Sequence, residues 1–199
     1  MVIISNPTAV PNEIATIHSL FEEGMELFHV RKPNFSEEEM KVFVEGIGLD
    51  YRSKLVLHNH HHLATLLKIN RIHFATNLRE AVSNKDFEIV KDQGFRLSTS
   101  THSITEFNAL DSKFDYSFLS PVFESISKEN YVPKTNLFED IKNRTNFNTK
   151  LIALGGIEFS NIQKTLESGF DDVALLGTIW NRTQPIKNFI LCQQIVLSY

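Results

Sequence analysis

The chain has 199 residues, with 20 Lys and Arg against 24 Asp and Glu, for a formal net charge of −4. That length suits one domain, residues 1–199, and the lack of a dense basic run argues against a nucleic-acid surface. A single cysteine, Cys192, excludes an internal disulfide framework, and no apolar stretch approaches the ~20 residues of a membrane span.

In chain order, short β-rich runs alternate with amphipathic stretches, the pattern of successive βα units. Strands are predicted near Val2–Ser5, Glu26–Val30, Lys54–His58, Arg71–Phe74, Phe95–Ser98, Asp115–Leu119, Lys150–Leu154 and Asp172–Leu176. Helices are predicted at Asn12–Glu23, Ser36–Gly46, His62–Leu67, Ser103–Leu110, Leu137–Thr145, Ser160–Ser168 and Gln184–Leu197. Residues 77–92 fit either one helix or an irregular loop. Ser36 ahead of Glu37–Glu39 is a capping-box start, Ser160 an N-cap, and Gly169 a helix stop. Cys192 falls in the terminal helix and reads as core or surface. Eight strands with short connections predict a single-domain α/β fold, the (β/α)8 TIM barrel. The N-terminus enters a strand with no signal sequence, so a cytoplasmic protein is expected, with no membrane or nucleic-acid partner.

In such a barrel the loops after the last two strands commonly bind phosphate. Leu151–Ile157 and Asp172–Thr178 each run from a buried strand into glycine where a helix begins. Gly155, Gly156, Leu176 and Gly177 therefore read as a phosphate cradle, because glycine lets backbone N–H groups approach an anion. The alternative is that these glycines only cap strands. Residues past the other strand ends should face the same mouth. Arg31, in an apolar strand beside His29, calls for an anionic ligand or a paired carboxylate. Strand three ends in His58-Asn59-His60-His61-His62 and strand five runs into Ser98–Ser103. His58 and His60 could share a strand face with His62 as a third metal ligand. No glutamate stands beside them as a general base, and no metal is assigned.

Several motifs in this order resemble the thiamine phosphate synthase/TenI family over nearly the whole chain. They are Phe28–Arg31, Lys54–Asn59, Ser100–Ser103, Asp115–Ser125, Ser127-Lys128, Ala153–Ile157 and Asp172–Gly177. The resemblance implies a (β/α)8 barrel of thiamine biosynthesis whose partner is a small phosphorylated thiazole. A homo-oligomer is allowed. It further implies Gly155, Gly156, Leu176 and Gly177 as phosphate ligands, and His29, Arg31, Asn59, Ser100, Ser125, Ser127 and Lys128 as substrate-binding residues.

The family holds two activities. The synthase joins a hydroxymethylpyrimidine diphosphate to thiazole phosphate, with Mg2+ and cations stabilising the departing pyrophosphate. Its pattern carries Gln-x-Arg-x-Lys on strand two, Asn-Asp after strand three and an aspartate after strand four. Here those positions read His29, Arg31 and Pro33, then His58-Asn59, then a stretch from Phe74 to Glu80 with no aspartate. Ser125, Ser127 and Lys128 keep the synthase spacing. The tautomerase branch uses no cofactor and moves a proton on a carboxylated thiazole phosphate, and its histidine corresponds to His102. An imidazole can take a proton at one carbon and return it elsewhere. The alternative for His102 is a helix N-cap neighbour bonded to backbone. The preferred expectation is a TenI-like thiazole tautomerase; the others are thiamine phosphate synthase and a non-catalytic binder of thiamine intermediates.

Overall fold

The computed structural model describes residues 1–123 and 136–199. Eight parallel strands close into a barrel in chain order: β1 (Val2–Ile4), β2 (Phe28–Val30), β3 (Leu55–Leu57), β4 (Arg71–Phe74), β5 (Arg96–Thr101), β6 (Tyr116–Leu119), β7 (Lys150–Leu154) and β8 (Asp172–Leu175). β8 pairs with β1, Val2 opposite Ala174, to complete the ring. Around it lie α1 (Glu13–Glu22), α2 (Glu37–Ile47), α3 (Thr76–Ala81), α4 (Asn84–Asp92), α5 (Ile104–Asn108), α6 (Leu137–Asp140), α7 (Ile162–Glu167), α8 (Gly177–Trp180) and α9 (Pro185–Leu197). No helix among the described residues is long and apolar enough to cross a membrane.

Side chains alternate across each strand, which creates two cores. Outward residues such as Ile3, Phe28, Val30, Leu57, Ile72, Phe74, Leu97 and Leu151 are buried under the helices. Inward residues Val2, Ile4, Tyr116, Phe118, Ile152 and Ala174 fill one side of the barrel interior. Other inward positions are polar: His29 and His73 each sit between two outward apolar neighbours, and both are buried. The barrel interior is thus apolar along β1, β6, β7 and β8, while β2, β4 and β5 turn His29, His73, Ser98 and Ser100 inward.

Some local expectations change. The Ser36 capping box forms, with Ser36 Oγ accepting from Glu39 N at 3.2 Å and Glu39 Oε2 accepting from Ser36 N at 2.8 Å. The helix expected at His62–Leu67 is a 3-10 turn, His61–Leu63, followed by turns. Residues 77–92 resolve into α3 and α4, separated where Ser83 caps the second. Ser160 does not cap α7. That position belongs to Asn161, whose side chain is used elsewhere: Nδ2 donates to the Gly156 carbonyl at 2.9 Å and Oδ1 accepts from Glu158 N at 3.0 Å. Leu137–Thr145 shortens to α6 plus a 3-10 turn, Ile141–Asn143.

Candidate active site

At the C-terminal mouth of the strands lies a cavity of about 480 Å³. Its walls come from every sector of the barrel: Arg31 after β2, His73 on β4, Ser100 on β5, His102 after β5, Gly156 after β7 and Gly177 after β8. The cationic residue of an early strand and both glycine turns therefore share one rim, as the sequence pattern required.

The β2 end places its side chains by strict alternation. Ser5 clamps the Arg31 backbone, accepting from Arg31 N at 2.8 Å and donating to Arg31 O at 3.0 Å. Lys32 turns to the opposite side and is fully buried, its Nζ 2.7 and 2.6 Å from the two Glu13 carboxylate oxygens. Arg31 is left facing the cavity with no carboxylate partner among the described residues. Burial pulls its guanidinium below its usual pKa range. An anionic guest would offset that desolvation.

The glycine turns are built for close backbone approach. Gly155 and Gly156 have φ of 103° and 65°, in the left-handed region that side chains disfavour. A Cβ at Gly155 would lie 2.9 Å from the Pro121 Cα, so no larger residue fits without moving backbone. The first turn of α8 points the N–H groups of Gly177 and Thr178 away from any intrahelical acceptor. Trp180 Nε1 donates to the Ile4 carbonyl at 2.7 Å and holds this turn against β1.

His102 sits exposed on the rim. Its Nδ1 is 2.9 Å from the Ser120 carbonyl oxygen, which can only accept, so the ring proton is on Nδ1 and Nε2 keeps a lone pair. The loop beneath is braced by Glu106, which accepts from the His102 backbone N at 2.8 Å and pairs with Arg79. Arg79 in turn donates to the Ser100 carbonyl at 2.8 Å. Ser103 caps α5 by accepting from Glu106 N at 3.1 Å, so the capping residue is Ser103 and His102 is spared for the cavity.

Three histidines converge at the cavity floor, His58 and His73 lining it and His29 lying beneath. His29 Nδ1 lies 2.8 Å from His58 Nε2, and His29 Nε2 lies 2.7 Å from the Tyr116 hydroxyl. His58 and His73 stack at 4.1 Å between ring centroids. His73 bridges Ser98 Oγ at 2.9 Å and Ser100 Oγ at 3.0 Å. Burial, reinforced by each other and by Arg31 or Arg71, holds all three rings neutral, with His73 pushed down to about 3. Burial likewise raises the Tyr116 hydroxyl above its usual range.

This cluster has a consequence for stability. The folded pKa of His73 is below its unfolded value near 6.5. The unfolded chain therefore binds protons first as the pH falls. The stability held by the neutral ring is complete above about pH 6.5 and is lost progressively toward pH 3. Linkage gives a slope of about 1.4 kcal/mol per pH unit for each such ring. Denaturant midpoints measured between about pH 7 and 5 should fall steadily, and a flat profile would contradict buried neutral rings.

Two expected ligand contacts move. His29 is 0% exposed and does not line the cavity; it supports His58 from below. Asn59 also stays out of the cavity lining, because its Nδ2 donates to the Lys32 carbonyl at 3.1 Å. Its Oδ1 is buried with no partner among the described residues. The grouping of His58 with His60 and His62 does not form. His60 takes a left-handed backbone, φ 52°, which sends its Nε2 to the Phe35 carbonyl at 2.8 Å, while His62 pairs with Glu37 at 3.0 Å. Ser125, Ser127 and Lys128 lie outside the described residues. Sequence reasoning placed His73 at the strand-four end without a role, and missed Tyr116 and Arg79 as site-building residues. The alternating Ile72-His73-Phe74 pattern signalled an inward polar residue on β4; the Arg79 brace had no local signal.

A family model described as thiamine monophosphate synthase matches residues 1–179. A thiamine-phosphate synthase of Prochlorococcus marinus (strain AS9601) is 36% identical over 85 residues, covering 42% of this chain and only 24% of that relative. One from Enterobacter sp. (strain 638) is 24% identical over 179 residues, covering 85% and 82%. The crystal structure of thiamine phosphate pyrophosphorylase from Bacteroides thetaiotaomicron superposes with a TM-score of 0.76 at 25% identity, covering 98% of this chain and 96% of that one.

Proposed function

Because this chain belongs to the thiamine monophosphate synthase family of thiamine biosynthesis enzymes, we propose that it isomerises a carboxylated thiazole phosphate, as the TenI-like tautomerases of the family do. One observation carries the reading. The described residues lining the cavity offer Arg31, imidazoles and hydroxyls, and no carboxylate. Such a mouth favours a multiply anionic guest and supplies a proton carrier.

In this reading the phosphate rests on the backbone of Gly155, Gly156, Leu176 and Gly177. Arg31 meets the guest's second anionic group, and Ser100 orients the ring. Ser125, Ser127 and Lys128 would act from the segment beyond the described residues. His102 Nε2 accepts a proton as a C–H bond of the substrate breaks, and the electron pair moves through the ring. The same proton returns at the exocyclic carbon, the ring becomes aromatic, and His102 ends neutral as it began. Ser120 holds Nδ1–H throughout and stabilises the imidazolium formed midway.

The synthase reading is favoured by the names of the relatives. It implies Mg2+, which is normally held by one or two carboxylates with phosphate oxygens. The described lining residues do not fit that ion, since neutral imidazoles replace the carboxylates, and no step is drawn through it. Two assays on the purified chain separate the readings. The carboxylated thiazole phosphate isomer should turn over to its aromatic form without added Mg2+. Robust pyrophosphate release from the pyrimidine diphosphate and thiazole phosphate with Mg2+ would overturn the proposal in favour of the synthase.

A further inference from the structure

His29, His58 and His73 come from three successive strands, yet each brings one ring nitrogen to within 4.8 Å of those of the other two. Among the described residues no other three metal-binding side chains converge in this way. We propose that this cluster is a binding site for a divalent ion of the zinc class, with three imidazole ligands and a fourth position open to the cavity.

The hydrogen bonds assign the ligand atoms. His29 Nε2 is engaged by the Tyr116 hydroxyl and His73 Nδ1 by Ser98 Oγ. That leaves His29 Nδ1 and His58 Nε2 as donors, with His73 Nε2 as the third once an ion takes the place of its 3.0 Å contact with Ser100 Oγ. A second ring nitrogen tied to a fixed oxygen is the usual support of a metal-bound histidine, because it sets both tautomer and ring orientation. Both supports are here on rigid strands.

The distances are within reach. Zinc–imidazole bonds of about 2.0–2.1 Å in a tetrahedral site place the nitrogens roughly 3.4 Å apart. His29 Nδ1 and His58 Nε2 now share a hydrogen bond at 2.8 Å, and one nitrogen of each of the three rings lies within 4.8 Å of the others. Closing the set around an ion also requires His58 and His73, now stacked at 4.1 Å with planes 26° apart, to turn until their lone pairs meet at one point. The ion then replaces the proton in the His29–His58 contact, and each ring stays neutral by carrying its hydrogen on the other nitrogen.

The donor set selects the metal. Three neutral nitrogens suit Zn2+, Co2+ or Ni2+ and are poor ligands for Mg2+ or Ca2+, which need oxygen. The fourth ligand comes from the cavity side, where His58, His73 and Ser100 are lining residues. With Arg31 also there, an anionic oxygen, either hydroxide or a guest carboxylate, is the ligand that balances charge. This site stands apart from the isomerase reading, since metal binding is measured without substrate.

The test is a titration of chelator-treated full-length protein with Co2+ and Zn2+. One equivalent of Co2+ should give the intense visible bands of a four-coordinate ion, and Zn2+ should displace it while Mg2+ does not. His58→Gln and His73→Gln should abolish those bands, whereas His60→Ala and His62→Ala should leave them unchanged. Tyr116→Phe should weaken binding by about 10–100-fold. Only the weak bands of a six-coordinate ion, or none, in the unaltered protein would overturn the proposal without recourse to any variant. So would loss of binding in His60→Ala or His62→Ala with retention in His58→Gln, which would assign the ion to the exposed histidines.

Discussion

Replacing His102 with alanine is expected to slow isomerisation of the thiazole phosphate by about 10²–10⁴-fold, the range that a positioned general acid–base contributes. Affinity for the phosphorylated ligand should stay within a few-fold of the unaltered protein. The two effects separate because the parts lie on different walls. His102 hangs from the β5 end, held by the Ser120 carbonyl and the Glu106 carboxylate. The phosphate would rest on backbone at the β7 and β8 ends, which the substitution does not touch. Steady-state kinetics with ligand calorimetry reads both quantities. Turnover like that of the unaltered protein would remove His102 from the chemistry. Equal loss of turnover and affinity would instead make it a binding residue.

Removing the carboxylate of Glu13 should cost about 3–5 kcal/mol of folding stability, the range for leaving one partner of a buried ion pair alone. Lys32 Nζ has no exposure; it contacts both Glu13 oxygens and the Thr8 carbonyl at 2.9 Å, and lies 4.9 Å from the Phe43 ring centroid. Burial raises the Glu13 pKa and lowers that of Lys32, while their mutual contact opposes both shifts. In Glu13→Ala the ammonium keeps its desolvation and loses the partner that offsets it. Against a typical total of about 5–15 kcal/mol, that is a large fraction. Replacing both residues with apolar side chains of similar size should recover most of the loss. Denaturant midpoints of the single and double variants measure this directly. A loss under about 1 kcal/mol for Glu13→Ala would mean that water reaches Lys32 and that the pair is not buried in solution. Activity should fall with stability, because Lys32 anchors the strand end whose next residue, Arg31, faces the cavity.

Much of the fold was legible because strands and helices announce themselves by local periodicity. All eight strands lie where alternation and short apolar runs place them, and β5 extends three residues further, to Thr101. Ser100 thereby becomes a strand residue with its hydroxyl on His73. Errors concentrate in short connections. His62–Leu67 has helical composition, but the left-handed turn at His60 and the need to re-enter β4 after few residues leave room only for a 3-10 turn. Asn161 displaces Ser160 at the N-cap position of α7, and its amide holds the Gly156 turn instead of capping the helix. No local rule ranks those two uses of a side chain.

Residue order alone dictated the eightfold βα pattern, the glycine turns after β7 and β8, and an arginine at the β2 end that calls for an anionic ligand or a paired carboxylate. These depend on backbone preference and on the cost of burying charge, both of which are local. It did not dictate which histidines meet. Positions 58 to 62 hold neighbouring histidines, yet the left-handed turn at His60 parts them, and closure of the barrel gathers His29, His58 and His73 instead. That meeting depends on inter-strand register and on which side chains point inward. Both are set by closing the ring, a step in which residues far apart in the chain become neighbours.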